Sequence, residues 1–220
     1  LIALSAGPAY AAMPSGPEVI EHLRAHAPAA TPFVVNYVED APPGGVAKLA
    51  IRVAADGKGS ARLDRYDLHS GATMTTLYAS TTKSGVSPIK EAPLWLQWWT
   101  GVPIELLCEG AKIDTTRVSL AHAQGVVLWV LGAGPKDTQT PQLQVERKHG
   151  LLRGAVGADP ARIMSSVKLD DYTDAGPGTL RLPKTMRIRA GEGELRMVKT
   201  WMQQGVDVQF QPEEFAPAKD

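Results

Sequence analysis

Residues 92–101 read APLWLQWWTG, and after Pro103 the segment Ile104 to Leu107 continues the apolar character up to Cys108. Three of the five tryptophans fall in this short block. A helix carrying Leu94, Trp95, Leu96, Trp98 and Trp99 is apolar nearly all round, so it cannot lie on a surface and something must wrap it. The residues on either side of the block alternate with period two rather than with helical period, which predicts that the wrapping element is a curved antiparallel sheet.

Upstream, Phe33, Val35 and Tyr37 alternate with Val34, Asn36 and Val38, and Leu49, Ile51 and Val53 alternate with Lys48, Ala50 and Arg52. Asp56-Gly57-Lys58-Gly59 makes a tight connection to a strand near Ala61 to Asp67, followed by another near Met74 to Ser80. Downstream, strands are expected at Arg117 to Ala121 and Val126 to Leu131, then around Leu143 to Arg147 and Leu152 to Val156. The series continues with Met164 to Tyr172, Thr185 to Arg189, Glu194 to Trp201 and Val206 to Phe210. VVLWVL at 126–131 is apolar on both faces and reads as a central, doubly covered strand. One helix precedes the strands. Ser15 and Glu18 have capping-box spacing, Pro17 sits in the first turn, and Val19, Ile20, Leu23 and Ala27 form the apolar stripe. The count is roughly ten or eleven strands against two or three helices, joined as hairpins rather than βαβ units, with no internal repeat.

The chain opens LIALSAGPAYA, an uncharged stretch ending in Ala9-Tyr10-Ala11, the small-x-small pattern of a signal-peptidase site. Residues 1–11 therefore read as the end of an export signal and 12–220 as a single exported domain. Lys plus Arg and Asp plus Glu both number 23, so nothing in the net charge points to nucleic acid or to an anionic membrane. No later stretch is long and apolar enough to span a bilayer as a helix. Cys108 is the only cysteine, cannot form an internal disulfide, and reads as a small buried hydrophobe.

Residues suited to catalysis are few. His22 and His26 are four apart, as two metal ligands on a helix would be, but they lie opposite the apolar stripe with no third ligand in view, which reads as a solvated face. GAGPKD at 132–137 lacks the spacing of a phosphate loop and reads as a hairpin turn. His69, His122 and His149 stand alone, no serine sits in GxSxG, and the acid pairs Asp170-Asp171 and Glu192/Glu194 read as a solvated strand end and turn. No catalytic residue, metal or cofactor is therefore assigned.

Together the segments resemble the LolA-like family of periplasmic lipoprotein carriers, from about Glu18 to Phe215. The parts that carry the resemblance are the N-terminal helix, the paired strands around Lys48–Val53 and Ala61–Asp67, and APLWLQWWTGVPIELL. They extend to the strand pair ending in PQLQVERKHGLLRGAV and the closing run LPKTMRIRAGEGELRMVKTWMQQGVDVQFQPEEF. The resemblance implies an α+β fold that is mainly β: an incomplete antiparallel β-barrel closed by helices around an apolar cavity. It implies acyl lipid or lipoprotein as ligand, membrane-bound donor and acceptor proteins as partners, a monomer, and no nucleic acid or stable membrane insertion. Leu94, Trp95, Trp98, Trp99, Leu107 and Trp129 are then the residues expected at the cavity and its lid. Carried over from the family, Arg62 in ARLDRYD takes the place of an arginine that gates the cavity by donating to the lid helices. Gln203-Gln204-Gly205 departs from the asparagine many relatives carry there, which puts the identity of the client in doubt. The burial of acyl chains gives physical sense to such a cavity, since each CH₂ removed from water contributes about 0.8 kcal/mol. Two other classes are compatible with the sequence: an envelope sensor or structural module binding a protein partner, and a small secreted hydrolase.

Overall fold

The computed structural model describes residues 13–26, 31–39, 45–79, 92–123, 125–158, 164–172, 180–191, 196–200, 205–206 and 208–215. The expected signal remnant, Leu1 to Ala11, lies outside them. Helix α1 (Gly16–His26) begins at the expected capping box: Glu18 Oε2 accepts the Ser15 amide at 2.6 Å and the Ser15 hydroxyl at 2.8 Å. These donors hold the Glu18 carboxyl below its ordinary range. Val19, Ile20 and Leu23 face inward.

Four strands follow: β1 (Phe33–Glu39), β2 (Leu49–Ala55), β3 (Ser60–Asp67) and β4 (Thr73–Ala79). The β2–β3 turn is set by chemistry at its corner. The Asp56 side chain accepts the amides of Lys58 and Ser60, at 2.7 and 2.8 Å, while Gly57 and Gly59 take the positive φ values of 67° and 102° that the turn needs. After α2 (Leu94–Trp99) and α3 (Ile104–Gly110) come β5 (Val118–Ala123), β6 (Val126–Leu131), β7 (Gln142–Glu146) and β8 (Leu152–Ala158). Then follow β9 (Met164–Tyr172), β10 (Pro183–Ala190), β11 (Arg196–Thr200), the short β12 (Gly205–Val206) and a 3₁₀ turn, Pro212–Phe215.

The strands form one antiparallel sheet in the order β4-β3-β2-β1-β11-β10-β9-β8-β7-β6-β5, with β12 beside β1. It consists of two meanders. The first runs β1 to β4, the second β5 to β11, and the pairing of Tyr37 with Thr200 and of Val38 with Lys199 joins them. β4 and β5 are left as the two free edges, so the barrel is open. The chain between those edges contains α2 and α3, which lie against one face of the sheet. The expected architecture, mainly an open antiparallel sheet with helices across one face, is the one observed.

Two expectations are corrected. VVLWVL is not central in the sheet: β6 lies next to the edge strand β5, although Leu128, Trp129, Val130 and Leu131 are all buried. The acid pair Asp170-Asp171 does stand at a strand end, with Asp171 exposed as expected, but Asp170 is not solvated. Both belong to β9, and Asp170 is only 7% exposed.

The core lies between the inner face of the sheet and the helices. Phe33, Val35, Tyr37, Val53, Leu63, Leu169 and Met186 meet Trp95, Leu96, Trp99 and Leu107 in one cluster. Tyr37 shows how polar atoms survive there: its hydroxyl donates to the Pro183 carbonyl at 2.9 Å, and burial pushes its phenol well above the ordinary range.

Candidate functional site

All six residues of α2 are buried, as its sequence requires. Pro93 starts the helix, and its carbonyl accepts the amides of Leu96 and Gln97. The one polar side chain, Gln97, is satisfied locally by donating from Nε2 to the Ala92 carbonyl at 2.8 Å. Thr100 closes the turn with its hydroxyl on the Gln97 carbonyl, and Gly101, at φ 78°, reverses the chain into α3. In α3, Ile104, Leu107 and Cys108 point inward while Glu105, Leu106 and Glu109 face out.

The expected site residues Leu94, Trp95, Trp98, Trp99, Leu107 and Trp129 belong to a single buried cluster. Trp99 meets Phe33 edge-on, with ring centroids 6.3 Å apart, and Trp95 at 5.5 Å. Leu94 lies over Gly157 of β8, where an added Cβ would stand 3.4 Å from Leu94 Cβ. Among the described residues two clefts border this block. One, of about 20 Å³ between α2 and β8 to β10, has room for a single water. The other, of about 220 Å³, opens at the rim where α1, α2 and α3 meet, and is lined by Trp98, Val102, Pro103 and Ile104 with Arg24 and Glu105 at its polar side. The second is smaller than the roughly 300 Å³ at which small-molecule sites begin. Neither of these two clefts would hold a whole acyl chain as it stands.

An ion pair crosses that rim. Arg24 of α1 donates from Nε to Glu105 Oε1 of α3 at 3.0 Å and also through Nη2, which holds the Glu105 carboxyl below its usual range. The pair is exposed, with 62% and 45% of the side chains accessible, so its contribution is modest and falls with salt.

Arg62 does not reach the lid helices. Ala61 and Leu63 point into the core, so period two turns Arg62 to the opposite face. There its Nε donates to Asp64 at 2.9 Å and its Nη1 to the Glu214 carbonyl at 3.1 Å. Asp64, 1% exposed, also accepts from Arg52 Nη1 at 3.3 Å and the Thr75 hydroxyl at 2.7 Å, and Arg52 pairs with the Glu214 carboxylate at 2.6 Å. This network ties the C-terminal 3₁₀ turn to the outside of the sheet.

Of the histidine pair, His26 is exposed as expected, whereas His22 is half-buried. His22 stacks on His26 at 4.1 Å and sets its edge on Trp129 at 4.7 Å; its Nε2 is buried without a hydrogen-bond partner among the described residues. Burial first, and the neighbouring His26 charge second, lower its pKa. Among the described residues no three His, Cys, Asp or Glu side chains converge as a metal would need. Cys108 is 1% exposed, and burial, aided by Glu105, pushes its thiol up to about 12.

On the outer face Glu146 and Arg153 carry no local sequence signature of their pairing, and His149, expected to stand alone, joins them. Glu146, 3% exposed, receives Arg153 Nε at 2.9 Å and faces His149 Nδ1. Burial, the largest effect, raises its pKa, but the donors from Arg153 and His149 together bring it below the ordinary value. The alternation of Gln142, Gln144 and Glu146 along QLQVE is the signal that marks this face.

No protein-family model matches the chain, nor does any curated protein sequence. Solved structures similar to it include a LolA superfamily protein from Nitrosomonas europaea, 12% identical over 93% of this chain and 98% of that one, with a TM-score of 0.48. A DUF1329 family protein from Desulfovibrio piger is 11% identical over 91% and 95%, TM-score 0.48. A domain assigned to an outer membrane lipoprotein-sorting protein from Vibrio parahaemolyticus is 10% identical over 90% and 94%, TM-score 0.45. Likeness at this level says nothing of ligand or partner. No described helix is long and apolar enough to cross a membrane.

Proposed function

We propose that this protein is a non-enzymatic periplasmic carrier that holds the acyl chains of a lipid or lipoprotein between the sheet and the α2–α3 block, receiving them from one membrane-bound partner and passing them to another. The single observation that supports this most is the character of that block. It joins the two free edges of an open sheet, packs tryptophan and aliphatic side chains into the core against the sheet, and borders an apolar rim cleft closed on one side by an exposed ion pair. Acyl chains would be taken up by swinging the helices outward, replacing one apolar contact by another at little net cost in hydrophobic free energy.

The test is extraction of the purified protein into organic solvent and mass spectrometry of what co-purifies, together with titration of an apolar fluorescent probe. Co-purified acyl lipid that the probe displaces is the expected result. Lipid-free protein that fails to bind the probe would end the carrier reading in favour of a protein-binding module, which the dense packing of Trp95, Leu96 and Trp99 favours. The hydrolase alternative has no comparable support. Cys108 is buried with a raised thiol pKa, the reverse of an activated nucleophile, and no described serine hydroxyl bonds to a histidine.

A further inference from the structure

The face of the sheet turned away from the helices carries a second cleft, of about 110 Å³, that has no part in the lipid-carrier reading. Its apolar lip is Val126 and Leu128 of β6, and its charged side is Lys168 and Asp170 of β9 with Arg187 of β10. The floor is kept open by Gly154 of β8, which the register places directly between Gln144 and Lys168. Any Cβ there would stand 3.0 Å from Gln144 Oε1 and 3.2 Å from the Val167 carbonyl.

Two groups in this cleft are only partly satisfied. Asp170 is buried, and its Oδ2 has no hydrogen-bond donor among the described residues; Arg187 Nη1 comes within 3.3 Å, close enough to attract but out of line for a hydrogen bond. A buried carboxylate oxygen without a donor is costly, and a ligand donor would relieve it. Lys168, two residues away on the same face, is exposed and has no ion pair among the described residues. Arg153, the remaining cation on the cleft wall, is committed to Glu146 and lies 5.0 Å over the Tyr172 ring. A cation without an ion pair and a carboxylate oxygen without a hydrogen-bond donor therefore sit on one strand, their Cα atoms roughly 7 Å apart.

We propose that this cleft binds a phosphorylated amine, its anionic group on Lys168 and Arg187 and its ammonium, two carbons away, on Asp170 Oδ2. Phosphate and ammonium separated in that way address Lys168 and the donor-less Asp170 Oδ2 together, and carbon atoms between or beyond them meet Val126 and Leu128. The same chemistry exists as a soluble phosphoamine and as an ethanolamine phospholipid headgroup.

Calorimetric titration of the intact protein with O-phosphoethanolamine and with inorganic phosphate tests the site. O-Phosphoethanolamine is expected to bind about tenfold more tightly than phosphate, the worth of one charge-assisted hydrogen bond. Lys168→Gln, on an exposed side chain that does not hold the fold, should weaken both by about tenfold. Asp170→Asn should abolish the preference of one ligand over the other while phosphate still binds. Flotation with vesicles of phosphatidylethanolamine against phosphatidylcholine separates the sources: Lys168-dependent capture by the former assigns a bilayer headgroup, and its absence with soluble binding intact assigns a free phosphoamine. Failure of O-phosphoethanolamine to bind, or equal binding by Lys168→Gln, overturns the proposal. Neither result bears on acyl lipid at the helices.

Discussion

Replacing Trp99 by alanine separates a packed interior from a ligand space. Trp99 is 1% exposed, closes α2, and sets its ring against Phe33 and Trp95 at 6.3 and 5.5 Å. Its removal loses the transfer free energy of the indole, leaves a cavity that dense neighbours fill only in part, and ends two edge-on ring contacts; core Trp→Ala changes of this kind cost about 3–5 kcal/mol. In a protein of this size each kcal/mol lowers Tm by roughly 2–4 °C, so a fall of about 6–20 °C is expected. Trp98 borders the 220 Å³ rim cleft, which can take in solvent when the ring is cut back. Trp98→Ala should therefore cost at least about 1 kcal/mol less than Trp99→Ala, and should change apolar-probe affinity. Urea unfolding followed by circular dichroism, which does not depend on the tryptophans removed, reads both. A loss below about 1 kcal/mol for Trp99→Ala, or equal losses for the two variants, would refute the assignment of Trp99 to the core and Trp98 to the rim.

His22 has a lowered pKa in the fold, so it contributes stability that is complete above its unfolded value near 6.5 and is lost as pH falls toward the folded value. Tm should drop as pH falls below about 6.5, and His22→Gln should flatten that part of the curve in a calorimetric pH series. Arg62→Leu should leave lipid or probe uptake unchanged but destabilise the fold by about 2 kcal/mol, because Asp64 and the Glu214 carbonyl lose a charged donor; a selective change in uptake would contradict its placement on the outer face. Cys108 should resist iodoacetamide in the native state and react within minutes in denaturant, as followed by mass shift; fast native labelling would mean that α3 opens readily.

Much of the architecture could be read locally. Ser15 with Glu18 announces the start of α1, Asp56 to Gly59 announces a hairpin, and APLWLQWWTG can only be a helix enclosed on all sides. In each case the physical cause lies within a few residues: a carboxylate in reach of an amide, glycines free to take positive φ, or a segment with no polar face. The orientation of single side chains was not legible in this way. Arg62 was expected toward the helices and lies outside, because a shift of one residue in a strand exchanges its faces and only pairing with β2 and β4 settles the register. His22 looked solvated until the fold brought β6 beneath it, and the first helix cannot announce that Trp129 will meet its edge. Asp170 looked like part of a strand end, but its burial beside Arg187 depends on β10 folding back along β9. The join of β1 to β11, which brings residues near 38 against residues near 199, was likewise decided by tertiary structure alone. Local sequence governs what each segment can be, whereas contacts between distant segments depend on how hydrophobic faces and strand registers are satisfied together across the whole sheet.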